Sequence, residues 1–258
     1  ASLIAGAQMS HCKLLRYEHN NIEDAEKTLQ KYEIKNGLMI ACDGVFSMDG
    51  DYADLKGLVE LKKKYNAVLM VDEAHSIGVF GKNGAGIVNH FNLTSDVDLI
   101  MGTFSKSLAS IGGFIAGEEE VIHYIKHNSR SFIFSASMPP ASAAAAAAAL
   151  EIMQKEPERI VKLWENTKYM HKGLVDAGFK TSAGETPILP VLIGDDMLAF
   201  KVCKEVQEHG IFVNPAVAPA VSPGNALIRL SLMASHTFAE IDYTLEKMKI
   251  VAKQNNII

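Results

Sequence analysis

Two short clusters hold the residues best suited to chemistry. In the first, an apolar run, Ala67 to Val71, ends in Asp72, Glu73, Ala74 and His75. In the second, the run Val97 to Met101 leads into Gly102, Thr103, Phe104, Ser105, Lys106 and Ser107, and then to Gly112 and Gly113. Both runs read as strands of a parallel sheet, where residues just past the carboxyl ends line the ligand crevice. Acid at such a strand end is costly unless something there requires it. Lys106 alone could be a surface charge on a loop, but its neighbours argue otherwise. Thr103 and Ser105 offer hydroxyls suited to a phosphate, and the glycines permit close backbone approach. A buried lysine that loses its proton becomes an amine nucleophile.

Taken alone, Asp72 to His75 also fits the metal-holding strand of a helicase-type ATPase. That chemistry requires a Gly-x-x-x-x-Gly-Lys-Ser/Thr loop to cradle phosphates, and the 258 residues contain none. Together, the two clusters instead meet the needs of pyridoxal 5'-phosphate (PLP): an amine for C4', an anion beside the ring nitrogen, and donors for the phosphate. On this reading Lys106 carries the cofactor as a Schiff base. Asp72 keeps the pyridine nitrogen protonated, so that the ring acts as an electron sink. His75 holds the ring oxygen, its competing reading being a hydrogen-bonded core histidine.

Bulk properties narrow the remaining classes. A hydrophobic fraction of 48% over 258 residues can fill a substantial core. The net charge of -5 is spread along a mixed sequence and gives no reason to expect nucleic acid. Cys12, Cys42 and Cys203 are odd in number and far apart, which suggests neither a disulfide framework nor a zinc knuckle and fits a reducing cytoplasm. No run approaches the roughly 18 apolar residues of a membrane-spanning helix, so no integral membrane segment is expected.

Apolar runs alternate with helical patterns through the first half, as in a mostly parallel α/β sheet. Strands are expected at Leu38 to Cys42, Ala67 to Val71, Val97 to Met101 and Gly113 to Ala116. Leu55, Leu58, Val59 and Leu61 mark a crossover helix, and Lys62, Lys63 and Lys64 suit its solvated C-terminus. Pro139 and Pro140 precede a helix with seven consecutive alanines, read as a tightly packed core or subunit-contact element. Another helix follows Pro157 and stops near Gly178. Strands at Ile188 to Ile193 and Leu227 to Leu232, with helices near Leu198 to His209 and Phe238 to Val251, suggest a smaller α+β domain. A large cofactor domain at 1–156 and a small domain at 157–258 are therefore expected.

With these motifs in order, the sequence resembles the α-oxoamine synthases, fold-type I PLP enzymes that condense an amino acid with an acyl-CoA and release carbon dioxide. The matching segments are Gly44 to Asp51, Asp72 to Ser76, Gly102 to Lys106, Phe132 to Pro140 and Ile228 to Thr237. The resemblance implies that Lys106 is the Schiff-base lysine, Asp72 the pyridinium partner, His75 and Ser47 contacts to the ring oxygen, and Thr103 a phosphate ligand. It implies that Ser135 and Ala136 bind the phosphate of a neighbouring subunit's cofactor, hence a homodimer with shared active sites, and that Arg229 holds the substrate carboxylate. From the residues alone, Ser47 could be simple turn chemistry, Ser135 a helix-entry hydroxyl, and Arg229 half of a surface ion pair.

Family members carry further N-terminal sequence with a phosphate-receiving turn and a histidine that stacks on the ring. Ala1 to Ile4 resembles the segment immediately after that histidine, so the N-terminal part of the family fold is expected to be absent here. Within the family, Ser105 to Ser110, Phe212 to Pro215 and Ser231 to Ala234 resemble bacterial serine palmitoyltransferases. This implies L-serine and a long-chain acyl-CoA as substrates and 3-ketosphinganine as product. Thr186 to Pro190 and Ile193 to Asp195 are shared with 8-amino-7-oxononanoate synthases, which use L-alanine and a pimeloyl thioester. Glycine C-acetyltransferase and a non-catalytic partner subunit are the remaining alternatives. The expected location is the cytoplasm, with peripheral contact at the inner membrane left open.

Overall fold

A computed structural model describes residues 2–32 and 37–258. Ala1, the first residue of the segment matched to the family's N-terminal sequence, lies outside the described residues. The chain forms two compact units, one of residues 1–45 and 53–155, the other of residues 46–52 and 156–258.

The first unit is built on four strands in the order β1 (Met39–Asp43), β2 (Val68–Asp72), β3 (Leu99–Thr103) and β4 (Gly113–Gly117). The first three are parallel and β4 runs antiparallel to β3. All four expected strands are present, and the third is shifted by two residues, so Gly102 and Thr103 belong to it and Val97 and Asp98 do not. Helices α1 (Ser2–Met9) and α2 (Ile22–Gln30) precede β1, and α3 (Leu55–Tyr65) crosses from β1 to β2. Leu55, Leu58, Val59 and Leu61 form the buried face of α3, opposite Leu69 and Val71 of the sheet core. Asp54 caps the start of α3 by accepting the Gly57 N–H at 3.0 Å, and Asn66 ends the helix in a left-handed conformation. The lysines at its end are tied off within the unit: Lys62 pairs with Asp98 at 2.8 Å, Lys63 with Asp96 at 2.6 Å, and Lys64 with Glu26.

Beyond β2 comes the short α4 (Ile87–His90), whose entry is organised by a buried acid. Glu73 accepts the N–H groups of Ile87 and Val88, both at 2.8 Å, and the hydroxyl of Ser76. Helix N-terminal donors thus neutralise a carboxylate with no solvent exposure. Gly86, at φ +106°, makes this possible, because a Cβ there would stand 2.5 Å from a Glu73 oxygen. After β4 follow α5 (Glu119–Asn128), α6 (Arg130–Ile133) and α7 (Pro140–Lys155). Of the two placements expected for the alanine-rich α7, core or subunit contact, it is not in the core: Ala146 is its one buried residue among those described. Alanine favours the helix equally well whether its face is covered or open.

In the second unit β5 (Ile188–Gly194), β7 (Ala226–Ser231) and β6 (Asn214–Ala216) form an antiparallel sheet in that order. Helices α8 (Glu158–Asp176), α9 (Asp196–Glu208) and α10 (Phe238–Gln254) pack on it around Met170, Leu174, Leu189, Val206, Ile228 and Ile241. Thr237 and Glu240 form a reciprocal cap at the start of α10. Residues 46–52 belong to this unit although they lie early in the chain. They are held by the buried Thr186, whose hydroxyl lies 3.0 Å from the Gly50 carbonyl and also accepts the Ile188 N–H at 3.2 Å. Gly50, at φ +71°, sits where a Cβ would meet the Ile188 carbonyl at 2.4 Å.

Thr186→Val, which strips two buried backbone groups of their partner, should destabilise the full-length protein by about 1–3 kcal/mol in urea denaturation. Gly86→Ala should cost at least about 1–3 kcal/mol through backbone strain alone, with the Glu73 contact adding to the loss.

Candidate active site

Parallel pairing brings the carboxyl ends of β1, β2 and β3 side by side. Asp72 is the last residue of β2 and pairs in register with Asp43 of β1 and Met101 of β3. It is buried, and one of its oxygens accepts the Ala74 N–H at 2.9 Å. This bond turns the chain sharply after the strand. Glu73 serves as the α4 clamp rather than as a site acid. Burial pushes its carboxyl upward, against the pull of Ser76 and the Val88 and Ile87 N–H groups. His75, between the Asp72 turn and that clamp, is half-buried.

The Lys106 loop leaves the neighbouring strand end and is pinned at several points. Phe104 N–H donates to the Gly112 carbonyl at 2.9 Å, and Ser110 N–H to the Phe104 carbonyl at 2.7 Å. The hydroxyls of Ser107 and Ser110 reach the carbonyls of Ile77 and Ser142 at 2.7 and 2.6 Å. Leu108 is buried beneath the loop. Gly112, at φ +104°, closes it, since a Cβ there would lie 2.9 Å from the Met138 sulfur. The backbone of Lys106 is therefore held before any ligand arrives.

Lys106 is exposed among the described residues. Its charge nevertheless acts on the strand ends. Burial raises the pKa of Asp43, the Asp72 charge raises it further, and Lys106 opposes both. Thr103 and Ser105 form a small hydroxyl group with their oxygens 2.8 Å apart, and Ser105 N–H donates to the Thr103 hydroxyl at 3.2 Å. Ser135 and Ala136 lie between α6 and α7, both exposed, beside the exposed Phe132, Ile133 and Phe134.

The other two candidates belong to the second unit. Arg229, in β7, donates from Nε to the Ser47 carbonyl at 2.6 Å and from Nη1 to the Ser231 hydroxyl at 2.6 Å. No acid pairs with it among the described residues, which removes the surface ion-pair reading. Burial pushes its pKa downward. Its neutral partners orient the fork without cancelling the charge, leaving it available to a carboxylate. Ser47 occupies the turn that receives this arginine.

Sequence reasoning passed over Asp43 and read Ser107 and Ser110 only as members of a motif. Asp43 carried the same signal as Asp72, an acid closing an apolar strand, whereas the two serines become legible as loop pins only through their distant carbonyl partners.

The first unit fits PLP in kind: an amine on a fixed loop, a carboxylate with one oxygen outside its turn bond, and paired hydroxyls one strand over. The comparisons agree. The aminotransferase class I and II family model matches residues 1–248. The serine palmitoyltransferase of Sphingobacterium spiritivorum is 51% identical over 257 residues, which cover 100% of this chain and 64% of that protein. The 8-amino-7-oxononanoate synthase of Thermosipho melanesiensis is 43% identical over 258 residues, covering 100% of this chain and 66% of that one. A solved structure of SPT with PLP internal aldimine matches with TM-score 0.96 and 33% identity, over 100% of this chain and 65% of the other. The chain thus spans slightly less than two thirds of the Sphingobacterium relative's length. It belongs to the aminotransferase class I and II family, and the relatives named here are α-oxoamine synthases.

Proposed function

We propose that this chain forms the catalytic part of a PLP-dependent C-acyltransferase that condenses L-serine with a long-chain acyl-CoA and releases carbon dioxide. The observation that carries this reading is the placement of Lys106 and Asp72 at the same ends of neighbouring parallel strands, one on a pinned loop and one in a buried turn. When bound, PLP supplies an electron sink for negative charge at the substrate α-carbon.

The residues around it divide the remaining work. Lys106 attaches the cofactor and then moves the proton at the α-carbon as general base. Asp72 holds the proton on the ring nitrogen. His75 and Ser47 hold the ring oxygen, and Thr103 and Ser105 receive the phosphate. Arg229 binds the amino-acid carboxylate, for which its planar fork is suited. Ser135 and Ala136 contribute to the phosphate site of a second copy, making the active form a homodimer. Serine is favoured over alanine because the relatives named serine palmitoyltransferase reach 51% identity, against 43% for the oxononanoate synthases. Among the described residues no helix is long and apolar enough to cross a membrane.

The test is thiol release from palmitoyl-CoA by the full-length protein with L-serine, L-alanine or glycine offered separately. Serine should support the fastest turnover, and preference for alanine or glycine would overturn the substrate assignment. Lys106→Ala should lower turnover by at least on the order of 10²–10⁴-fold, the range of a general base alone. Retained turnover in that variant would overturn the reaction assignment.

A further inference from the structure

The end of β1 repeats the chemistry of the end of β2. Asp43 and Asp72 are register partners in parallel strands, so their side chains leave the same face of the sheet. The pairing continues one residue past β1, where Gly44 N–H donates to the Asp72 carbonyl at 2.8 Å. A Cβ at Gly44 would stand 2.7 Å from Ile87 and 3.2 Å from Val71, so the chain leaving Asp43 is confined to this path. Asp43 itself is half-buried. The ionisable side chains that act on it are Asp72 at the end of β2 and Lys106 in the loop after β3, and Cys42 on its own strand feels Asp43, Glu73 and Asp72, with Tyr17 close to it. Burial and the charge of Asp72 both make Asp43 harder to ionise than an ordinary aspartate. Two carboxylates so placed repel one another until a proton or another cation joins them.

We propose that Asp43 is a positioning residue for the cofactor, its carboxylate adding a second negative charge beside Asp72 so that a cationic ring nitrogen is held by the field of both. This rests on the reading of Lys106 and Asp72 as a PLP site. Asp43 acts through Asp72 and contributes no bond to the substrate. Arrival of the cation relieves the repulsion between the acids, so part of the cofactor's binding comes from a cost already present in the sheet. Before the cofactor is attached, the Lys106 ammonium in the neighbouring loop favours the ionised form of Asp43.

The test uses the full-length protein loaded with PLP and reads two quantities from the cofactor's visible absorption band: the PLP dissociation constant and the pH midpoint of the band. Asp43→Asn removes one negative charge at nearly constant size. A protonated cofactor nitrogen then loses its proton more easily, so the midpoint should fall by about one pH unit, equivalent to a roughly tenfold change in proton binding. The dissociation constant should rise about tenfold. Asp43→Glu, which keeps the charge, should retain both wild-type values. An unchanged constant and midpoint in folded Asp43→Asn would overturn the inference, as would a midpoint in Asp43→Glu displaced as far as in Asp43→Asn. Should Asp43→Asn not fold, the comparison of Asp43→Glu with wild type still decides, since a displaced midpoint there contradicts a role carried by charge. A wild-type protein with no visible band would remove the PLP reading and this inference together. A wild-type band with unaltered Asp43→Asn values would remove this inference alone.

Discussion

The parallel pairing of β1, β2 and β3 is the constraint on which the first unit's candidate chemistry depends. Parallel strands must return through crossovers, so their carboxyl ends lie along one edge and their following loops emerge together. Asp43, Asp72 and Met101 share one level of the sheet, and Lys106 follows five residues beyond Met101. A one-residue slip would send these side chains to the opposite face. The register is protected by the alternation that buries Ile40, Cys42, Leu69 and Val71 on the other side.

Acids gathered at one edge carry a desolvation and repulsion cost, and each of the three meets it differently. Glu73 gives its oxygens to the N-terminus of α4, and Gly86 lacks a side chain so that it can. Asp72 spends one oxygen on its own turn. Asp43 stands half-buried next to it, under the influence of Lys106. The same economy appears in the second unit, where Arg229 is oriented by a carbonyl and a hydroxyl rather than by an acid that would neutralise it.

The regular elements were legible where the chain advertises burial. Ala67 to Val71 is an apolar run, Val97 to Met101 is apolar apart from Asp98, and each overlaps a strand, Val68–Asp72 and Leu99–Thr103. The α3 pattern of Leu55, Leu58, Val59 and Leu61 became the buried helix face. What stayed hidden depended on partners distant in sequence. Residues 46–52 join the second unit through Thr186 and Arg229, more than a hundred positions later. The strand β6 is three residues long and carries no alternation to read. In α2 the buried residues are Ala25 and Leu29, too few for a clear periodic signal. The alanine run announced a helix but not its exposure, because alanine's preference for helix is indifferent to what covers it. Asp72 and Lys106 stood out by type and setting, while the loop that fixes Lys106 owes its shape to Ile77 and Ser142, which no local motif marks.

The claim at the centre is that one particular amine carries the cofactor next to the Asp72 carboxylate. It is tested most directly by reducing the full-length, PLP-loaded protein with borohydride, digesting it, and locating the pyridoxyl group by mass spectrometry. The modification should fall on the peptide containing Lys106 and vanish in Lys106→Ala. A pyridoxyl group found mainly on any other lysine, or a protein that takes up none, would contradict it.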